Sequence, residues 1–220
     1  MKPEDIDETR RKYRERWEQY GYDPRTLYWD KGRQQVRFTA ALEVLRPNEY
    51  GSVIDIGCGF GDFFAHLKAR GWSGQYTGVD IVPELLAEAR RRHCEPNASF
   101  HCADIQEQPL NVQAAMGVAL GIFNHRLKQD NMLFISSMLE AMWNHTTDVV
   151  VLDFLSTSAD IRRDELFYAD PRAIFDLARR FTRRVMIHHA YIPFEFQVKV
   201  WHDDSFEVRA PVFPPYSALI

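Results

Sequence analysis

The chain has 220 residues, 45% hydrophobic and 26% charged, enough for one domain with a sizeable core. A formal net charge of −4 excludes a global attraction to nucleic acid, and no apolar run is long enough to cross a bilayer. Cys58, Cys94 and Cys102 are an odd number with no Cys-x-x-Cys spacing, which argues against a disulfide framework and against a metal site.

The opening stretch MKPEDIDETRRKYRERWEQ is too charged for a secretory signal, so a cytoplasmic location is expected. Residues 4–19 read as a largely solvated helix with acidic and basic side chains interleaved. GYDPRTLYWDKG is a loop punctuated by Gly21, Pro24 and Gly32. RQQVRFTAALEVL, residues 33–45, has helical periodicity through Val36, Ala40, Leu42 and Val44, and Pro47 and Asn48 stop it. Residues 1–46 are expected to form a helical cap or lid, and residues 47–220 the domain it covers.

Strands and helices then alternate. SVIDIG is a buried strand, and GDFFAHLKARG a helix closed by Gly71. QYTGVDI is a strand, followed by the helix PELLAEARRRH, which opens on Pro83 where proline is well tolerated. ASFHCADI and AAMGVALGIF are the third and fourth strands, NMLFISSMLEAMWNH a long amphipathic helix, DVVVLDFLS the fifth strand and DPRAIFDLARRF a further helix. RVMIHHAYI and FEFQVKVW are the last two strands, joined by a short connection through Pro193. Alternation implies parallel β-α-β units with helices on both faces. The last connection is too short for a crossover and forces an antiparallel pair. The expected fold is therefore α/β, a three-layer sandwich on a mostly parallel seven-stranded sheet with an antiparallel last strand, plus the N-terminal cap. The tail DDSFEVRAPVFPPYSALI carries Val212, Phe213, Tyr216 and Leu219 on an aperiodic stretch. It suits an ordered loop against the body or a dimer contact, which leaves monomer and homodimer open.

The turn GCGFGD after the first strand identifies the kind of ligand. A dinucleotide fingerprint needs a third glycine where Asp62 stands, and a carboxylate there would repel a pyrophosphate. No Lys-Ser or Lys-Thr follows, so it is not a phosphate loop. Asp55 before the first glycine suits a ligand with a positive group and no phosphate, such as S-adenosylmethionine, whose α-amino group and sulfonium are cationic. Gly57 and Gly59 let the backbone pass close beneath such a ligand. Asp80 ends the second strand facing the ribose hydroxyls, Ile81 offers an apolar wall for adenine, and Asp104 with Ile105 sits where the adenine amine would lie.

Together these residues resemble the Rossmann-like, class I S-adenosylmethionine-dependent methyltransferases. SVIDIGCGFGDFFAHL contains the family's glycine motif D-x-G-x-G-x-G, and TGVDIVPELLAEARRR is similar to its second motif. The resemblance covers about residues 53–155 well and the rest by topology. LGIFNHRL, VVLDFLSTSAD, ELFYADPRAIFDLARRFT and HHAYIPFEFQVKVW look like a bacterial branch of small, stand-alone methyltransferases with mostly unassigned substrates. In that branch a Trp-containing loop and a Q…RF helix precede the first strand, as Trp29, Gln34 or Gln35, Arg37 and Phe38 do here. The resemblance implies methyl transfer with S-adenosylmethionine as donor. The donor pocket would comprise Asp55, Gly57, Cys58, Gly59, Asp80, Ile81, Asp104, Ile105 and Gly121, closed by Trp29 and Arg37 of the cap.

The acceptor is expected beyond the C-terminal ends of the strands. Phe123, Asn124 and His125 follow the fourth strand, Ser156 the fifth, and His189 and Tyr191 lie on the sixth, with Tyr22 and Tyr28 contributed by the cap. His125 is the first candidate for a general base, against a capping or surface role. Alternation puts His188 and His189 on opposite faces of their strand, so one ring at most faces a given site. GIFN stands where methyltransferases of nucleobase amines carry a D/N-P-P-Y motif, which with the net charge argues against nucleic acid. A small-molecule acceptor is expected, at oxygen or nitrogen rather than carbon. The alternatives are an enzyme on RNA or protein, marked by a contiguous basic face, and a non-catalytic scaffold, marked by an acceptor cleft filled with side chains.

Overall fold

The computed structural model describes residues 1–29, 32–43, 45, 49–108, 110–206, 212, 213 and 216. Helix α1 spans Pro3–Tyr20, with Pro3, Glu4 and Asp5 in a first turn whose dipole favours acids, and it ends at Gly21, whose N–H donates to Trp17 O. A short 3-10 turn, Pro24–Leu27, lies inside the segment read as a loop, capped by the Asp23 side chain accepting from Arg25 N. Helix α2 follows over Arg33–Leu42. It is shorter than its sequence periodicity suggests, and Val36 lies on its exposed side while Arg37, Phe38, Ala41 and Leu42 turn inward. Val44, Pro47 and Asn48, and with them the expected boundary at 46–47, fall outside the described residues.

The elements then run β1 Ser52–Ile56, α3 Asp62–Lys68, β2 Gln75–Asp80, α4 Pro83–Arg92, β3 Ala98–Cys102, β4 Ala114–Ala119, α5 Asn131–Asn144, β5 Thr146–Leu155, α6 Pro171–Ala178, β6 Val185–Ile192 and β7 Glu195–Trp201. The seven-stranded sheet has the order β3-β2-β1-β4-β5-β7-β6. All its pairs are parallel except β5–β7 and β6–β7, so the antiparallel strand is β7, one place in from the edge. The class I architecture expected from the sequence is therefore present. β4 stops at Ala119, earlier than its sequence suggests, because the chain turns out of the sheet at Gly121, whose φ of 95° belongs to glycine.

The strand alternation sorts two cores onto the two faces. Ile54, Val150, Phe196 and Val198 pack with Phe134, Ile135 and Leu139 of α5 on one face. Val53, Tyr76, Val118 and Val151 pack with Phe38, Phe63, Phe64 and Leu86 on the other. β7 is buried on both faces, yet every second residue is polar. Glu195, Gln197 and Lys199 are each at most 1% exposed. All three reach α2: Glu195 pairs with Arg37, Gln197 Nε2 donates to Arg37 O at 3.0 Å, and Lys199 Nζ donates to Ala40 O at 2.8 Å. This ladder fastens α2 to the sheet. In the tail, Phe213 lies 6.0 Å from the Arg184 guanidinium and Tyr216 is exposed, while Leu219 is outside the described residues.

Candidate active site

A chamber lies over the C-terminal ends of β1, β2, β3 and β4. Gly57, Gly59, Asp80, Ile81, Asp104, Ile105 and Gly121 line it, as does His125. The turn after β1 is built around left-handed glycines, with Gly57 at φ 76° and its N–H donating to Val79 O at 2.7 Å. A Cβ on Gly57 would lie 2.2 Å from Ile122 Cγ2, so only glycine lets the chain close there. Asp80 fixes the turn to β2. Its Oδ2 accepts from Gly59 N and its Oδ1 from Val82 N, both at 2.9 Å. Burial pushes its carboxyl up, and those backbone donors pull it back. Asp104 Oδ1 accepts from Gln106 N at 3.0 Å, and its Oδ2 accepts from the Met1 ammonium at 2.9 Å. No lysine or arginine lines this chamber among the described residues. Two carboxylates at successive strand ends and apolar walls, with the Met1 ammonium on Asp104 as the cationic group among the described lining residues, fit an adenosyl ligand carrying positive charge better than a pyrophosphate.

The roof comes from the N-terminal segment, through Tyr13 of α1 and Leu27 and Trp29 after it. Arg10 Nε donates to Ile81 O at 2.8 Å, and Arg14 pairs with Glu84. A second, wider cleft opens on the other side of the same roof, towards the loop between β5 and α6. Tyr13, Leu27, Trp29, Gly121 and His125 line both spaces, so the two meet there. At the junction Tyr13 Oη lies 3.5 Å from His125 Nε2, and the Tyr28 ring centroid is 5.3 Å from the imidazole. Burial, then Lys12 and Arg16, hold the His125 pKa below its ordinary 6.5, leaving the ring neutral and able to accept a proton at neutral pH. Burial foremost raises the Tyr13 hydroxyl, which stays protonated.

Other residues singled out from the sequence fall elsewhere. Asp55 points away from the chamber into the α3 side of the sheet. Its Oδ2 accepts from Tyr76 Oη at 2.5 Å, and burial raises its pKa to about 7. The Cys58 thiol turns into the same core. Phe123 is 1% exposed, packed against Phe134 and Phe154, so it is core rather than an acceptor contact. Tyr22 lies over Phe60 and donates to Asp62 Oδ1. Ser156 is fully buried and shares a 2.9 Å hydrogen bond with His189, whose ring stacks on Phe196. The Tyr191 hydroxyl is buried without a hydrogen-bond partner among the described residues. None of these seven lines either space. Tyr28 and Asn124 do line the wider cleft.

Arg37, expected to close the donor pocket, already holds two carboxylates of the protein. It makes a two-pronged ion pair with Glu195, and its Nε lies 3.3 Å from Asp153 Oδ2. Asp153 Oδ1 in turn accepts from Gly121 N at 2.5 Å, and the guanidinium lies 3.9 Å from the Trp29 ring centroid. Arg37 thus fixes Trp29 and Gly121, both at the junction. Sequence reasoning missed Tyr13 and Leu27. The signal for Tyr13 was its place in the aromatic stripe Tyr13, Trp17, Tyr20, spaced along one side of a helix otherwise rich in charge. Among the described residues no group of three His, Cys, Asp or Glu side chains is arranged to hold a metal.

Comparison with known proteins identifies this geometry. Residues 53–145 match the family model described as a methyltransferase domain. A protein of Mycobacterium tuberculosis named as a methyltransferase, Rv1506c, is 36% identical over 166 residues, 72% of this chain and 98% of that relative. The chain is a class I S-adenosylmethionine-dependent methyltransferase. Among solved structures, magnesium protoporphyrin IX methyltransferase ChlM from Synechocystis PCC 6803, with bound SAH, superimposes with a TM-score of 0.66 at 16% identity, covering 90% of this chain and 100% of that one. The DhpI-SAH complex superimposes with a TM-score of 0.66 at 19% identity, over 90% of this chain and 97% of that one. Both share the methyltransferase fold. The enzyme's cofactor is S-adenosylmethionine.

Proposed function

We propose that this methyltransferase transfers a methyl group from S-adenosylmethionine to an oxygen or nitrogen of a small-molecule acceptor, with His125 as the general base. The observation that carries the reading is the junction: a largely apolar chamber without lysine or arginine among its described lining residues and an open cleft meet at Gly121, Trp29, Tyr13 and His125. Asp80 would accept from the ribose hydroxyls, Ile81 and Ile105 would flank the adenine, and Asp104 would accept from its amine. The sulfonium supplies an activated methyl, so the protein need only align the acceptor with it and take a proton. Neutral His125 is placed for that proton, and Tyr13 is placed to hold the ring. α1 and the 3-10 turn would act as the lid within residues 1–46, over a catalytic domain of residues 47–220.

The open cleft counts against a scaffold whose acceptor space is filled with side chains. Its aromatic rings support a small acceptor, its six lysine and arginine side chains among the described residues are what RNA or protein would use, and incubation with labelled donor separates the two. No described helix is long and apolar enough to cross a membrane, in keeping with an enzyme of small-molecule biosynthesis working in the cytoplasm, as monomer or homodimer.

Calorimetric titration tests the donor site. S-adenosylmethionine should bind with micromolar affinity and NADH should not. Incubation with labelled donor and fractionated extract should then place the label in the low-molecular-weight fraction. Label confined to RNA or protein would overturn the small-molecule reading.

A further inference from the structure

The charge of the acceptor cleft runs against that of the whole chain. The chain has 31 acidic and 27 basic residues. The cleft is lined by Lys12, Arg16, Arg25, Arg33, Arg37 and Arg163, against Asp160, Glu165 and Glu195. Internal pairs account for part of this. Arg37 is held by Glu195, Lys12 by Glu8, and Arg25 by Asp23. Arg16 and Arg163 differ. Arg16 Nε donates to a backbone carbonyl, Arg25 O, and its guanidinium lies 3.8 Å from the Tyr28 ring centroid. Arg163 is exposed on another element that lines the cleft, the β5–α6 loop, where its backbone N–H donates to Tyr168 Oη. Neither guanidinium has a carboxylate partner among the described residues.

The cleft also presents flat surfaces. Tyr28, Trp29, Tyr168 and Phe194 line it, and an arginine lies over each of these rings: Arg16 over Tyr28, Arg37 over Trp29, Arg33 over Phe194 at 5.7 Å and Arg162 over Tyr168 at 5.8 Å. A guanidinium resting on a ring is weakly hydrated and keeps its planar fork of donors, the arrangement suited to an oxyanion. Aromatic walls favour an unsaturated or ring-shaped body between them.

We propose that the acceptor is a flat molecule bearing an oxyanion, carboxylate or phosphate, which Arg16 of α1 and Arg163 of the β5–α6 loop bind while its nucleophilic atom reaches His125. This rests on the methyltransferase reading of the junction and extends it to the class of acceptor. The oxyanion is the anchor and the methylated atom lies at the other end of the molecule, beside the donor chamber.

The test uses three probes on one scaffold, titrated calorimetrically into full-length enzyme saturated with S-adenosylhomocysteine. These are 4-hydroxyphenylacetate, 4-hydroxybenzylphosphonate and the neutral 4-hydroxyphenylacetamide. At least one anion should bind tenfold or more tighter than the amide. Which anion prevails separates carboxylate from phosphate acceptors. Arg163→Gln, at an exposed loop position, should cut that preference several-fold, and Arg16→Gln with Arg163→Gln should abolish it, with affinity for the amide and for S-adenosylhomocysteine unchanged. Equal binding of amide and acids, no binding of either acid to the loaded enzyme, or a preference that survives in the double variant overturns the proposal. Failure of S-adenosylhomocysteine to bind is a different result, which removes the donor reading and this proposal with it.

Discussion

At the residue scale the question is how one histidine is kept ready to take a proton. His125 sits where the donor chamber and the cleft meet, under the rings of Tyr13 and Tyr28. Burial disfavours its charged form, and Lys12 and Arg16 add repulsion, so its pKa lies below 6.5. In the proposed role the active species is the neutral ring. Turnover should therefore be flat above about pH 7 and fall on the acid side, with a midpoint below the 6.5 of an unperturbed imidazole. His125→Asn should lower kcat by about 10²–10⁴, the usual contribution of a general base, leave the affinity for S-adenosylhomocysteine intact and remove the acid limb. An acid limb that persists in the variant assigns it to another group. His125 was legible in the sequence because a histidine just past a strand end is a local fact. Tyr13 was not, because only the folding of α1 across the sheet brings it there.

At the scale of elements, the attachment of α2 to β7 is the least expected feature. Strand β7 reads Glu-Phe-Gln-Val-Lys-Val-Trp, a strict alternation that ordinarily means one face in solvent. Here the polar face is buried under α2, whose backbone carbonyls at Arg37 and Ala40 take its donors. The alternation is visible in the sequence, while the helix that covers it lies more than 150 residues away and gives no local sign. Lys199 bears the electrostatic cost. Desolvation lowers its pKa from 10.5 to about 8, with Glu43 opposing. The unfolded chain holds this proton up to about pH 10.5 and the folded one releases it near pH 8. Between those values the unfolded state binds more protons, so Lys199 makes stability rise with pH there, by about 3 kcal/mol in full. Lys199→Met keeps most of the volume and removes the charge. It should be neutral or stabilising at pH 7, and the difference in stability between variant and parent should shrink from pH 8 to 10. Denaturant titrations at each pH measure this. A constant difference would mean that the buried lysine keeps its proton over this range as the unfolded chain does, and that burial does not lower its pKa.

At the scale of the whole molecule, the N-terminal segment divides into two parts with different attachments. α2 is fixed to β7 by buried bonds and belongs mechanically to the sheet. α1 and the 3-10 turn are held over the chamber by polar contacts, Arg10 to Ile81 O, Arg14 to Glu84, and Asp5 accepting from Lys128 N and Gln129 N, and by Tyr13, Trp17 and Leu27 packed on Phe60, Val82 and Leu85. Leu27 rests against the glycine turn itself, 3.2 Å from where a Cβ on Gly59 would lie. If α1 and the turn act as the proposed lid, they open for the ligand while α2 stays in place. The sequence groups all three elements into one cap, because charge and periodicity say nothing about what each helix is fastened to. Hydrogen exchange separates them. Without ligand, amides of residues 3–29 should exchange through local opening, faster than those of α2 and β7, whose exchange requires disruption of the buried ladder. Saturating S-adenosylhomocysteine binds only the closed or folded form, so it should slow exchange in residues 3–29 in proportion to its concentration over its dissociation constant. In α2 the slowing should appear only in amides that exchange through global unfolding. Equal exchange in α1 and α2 without ligand, or uniform protection of both with it, would show that the whole N-terminal segment moves as one piece and that the ladder on β7 does not anchor α2.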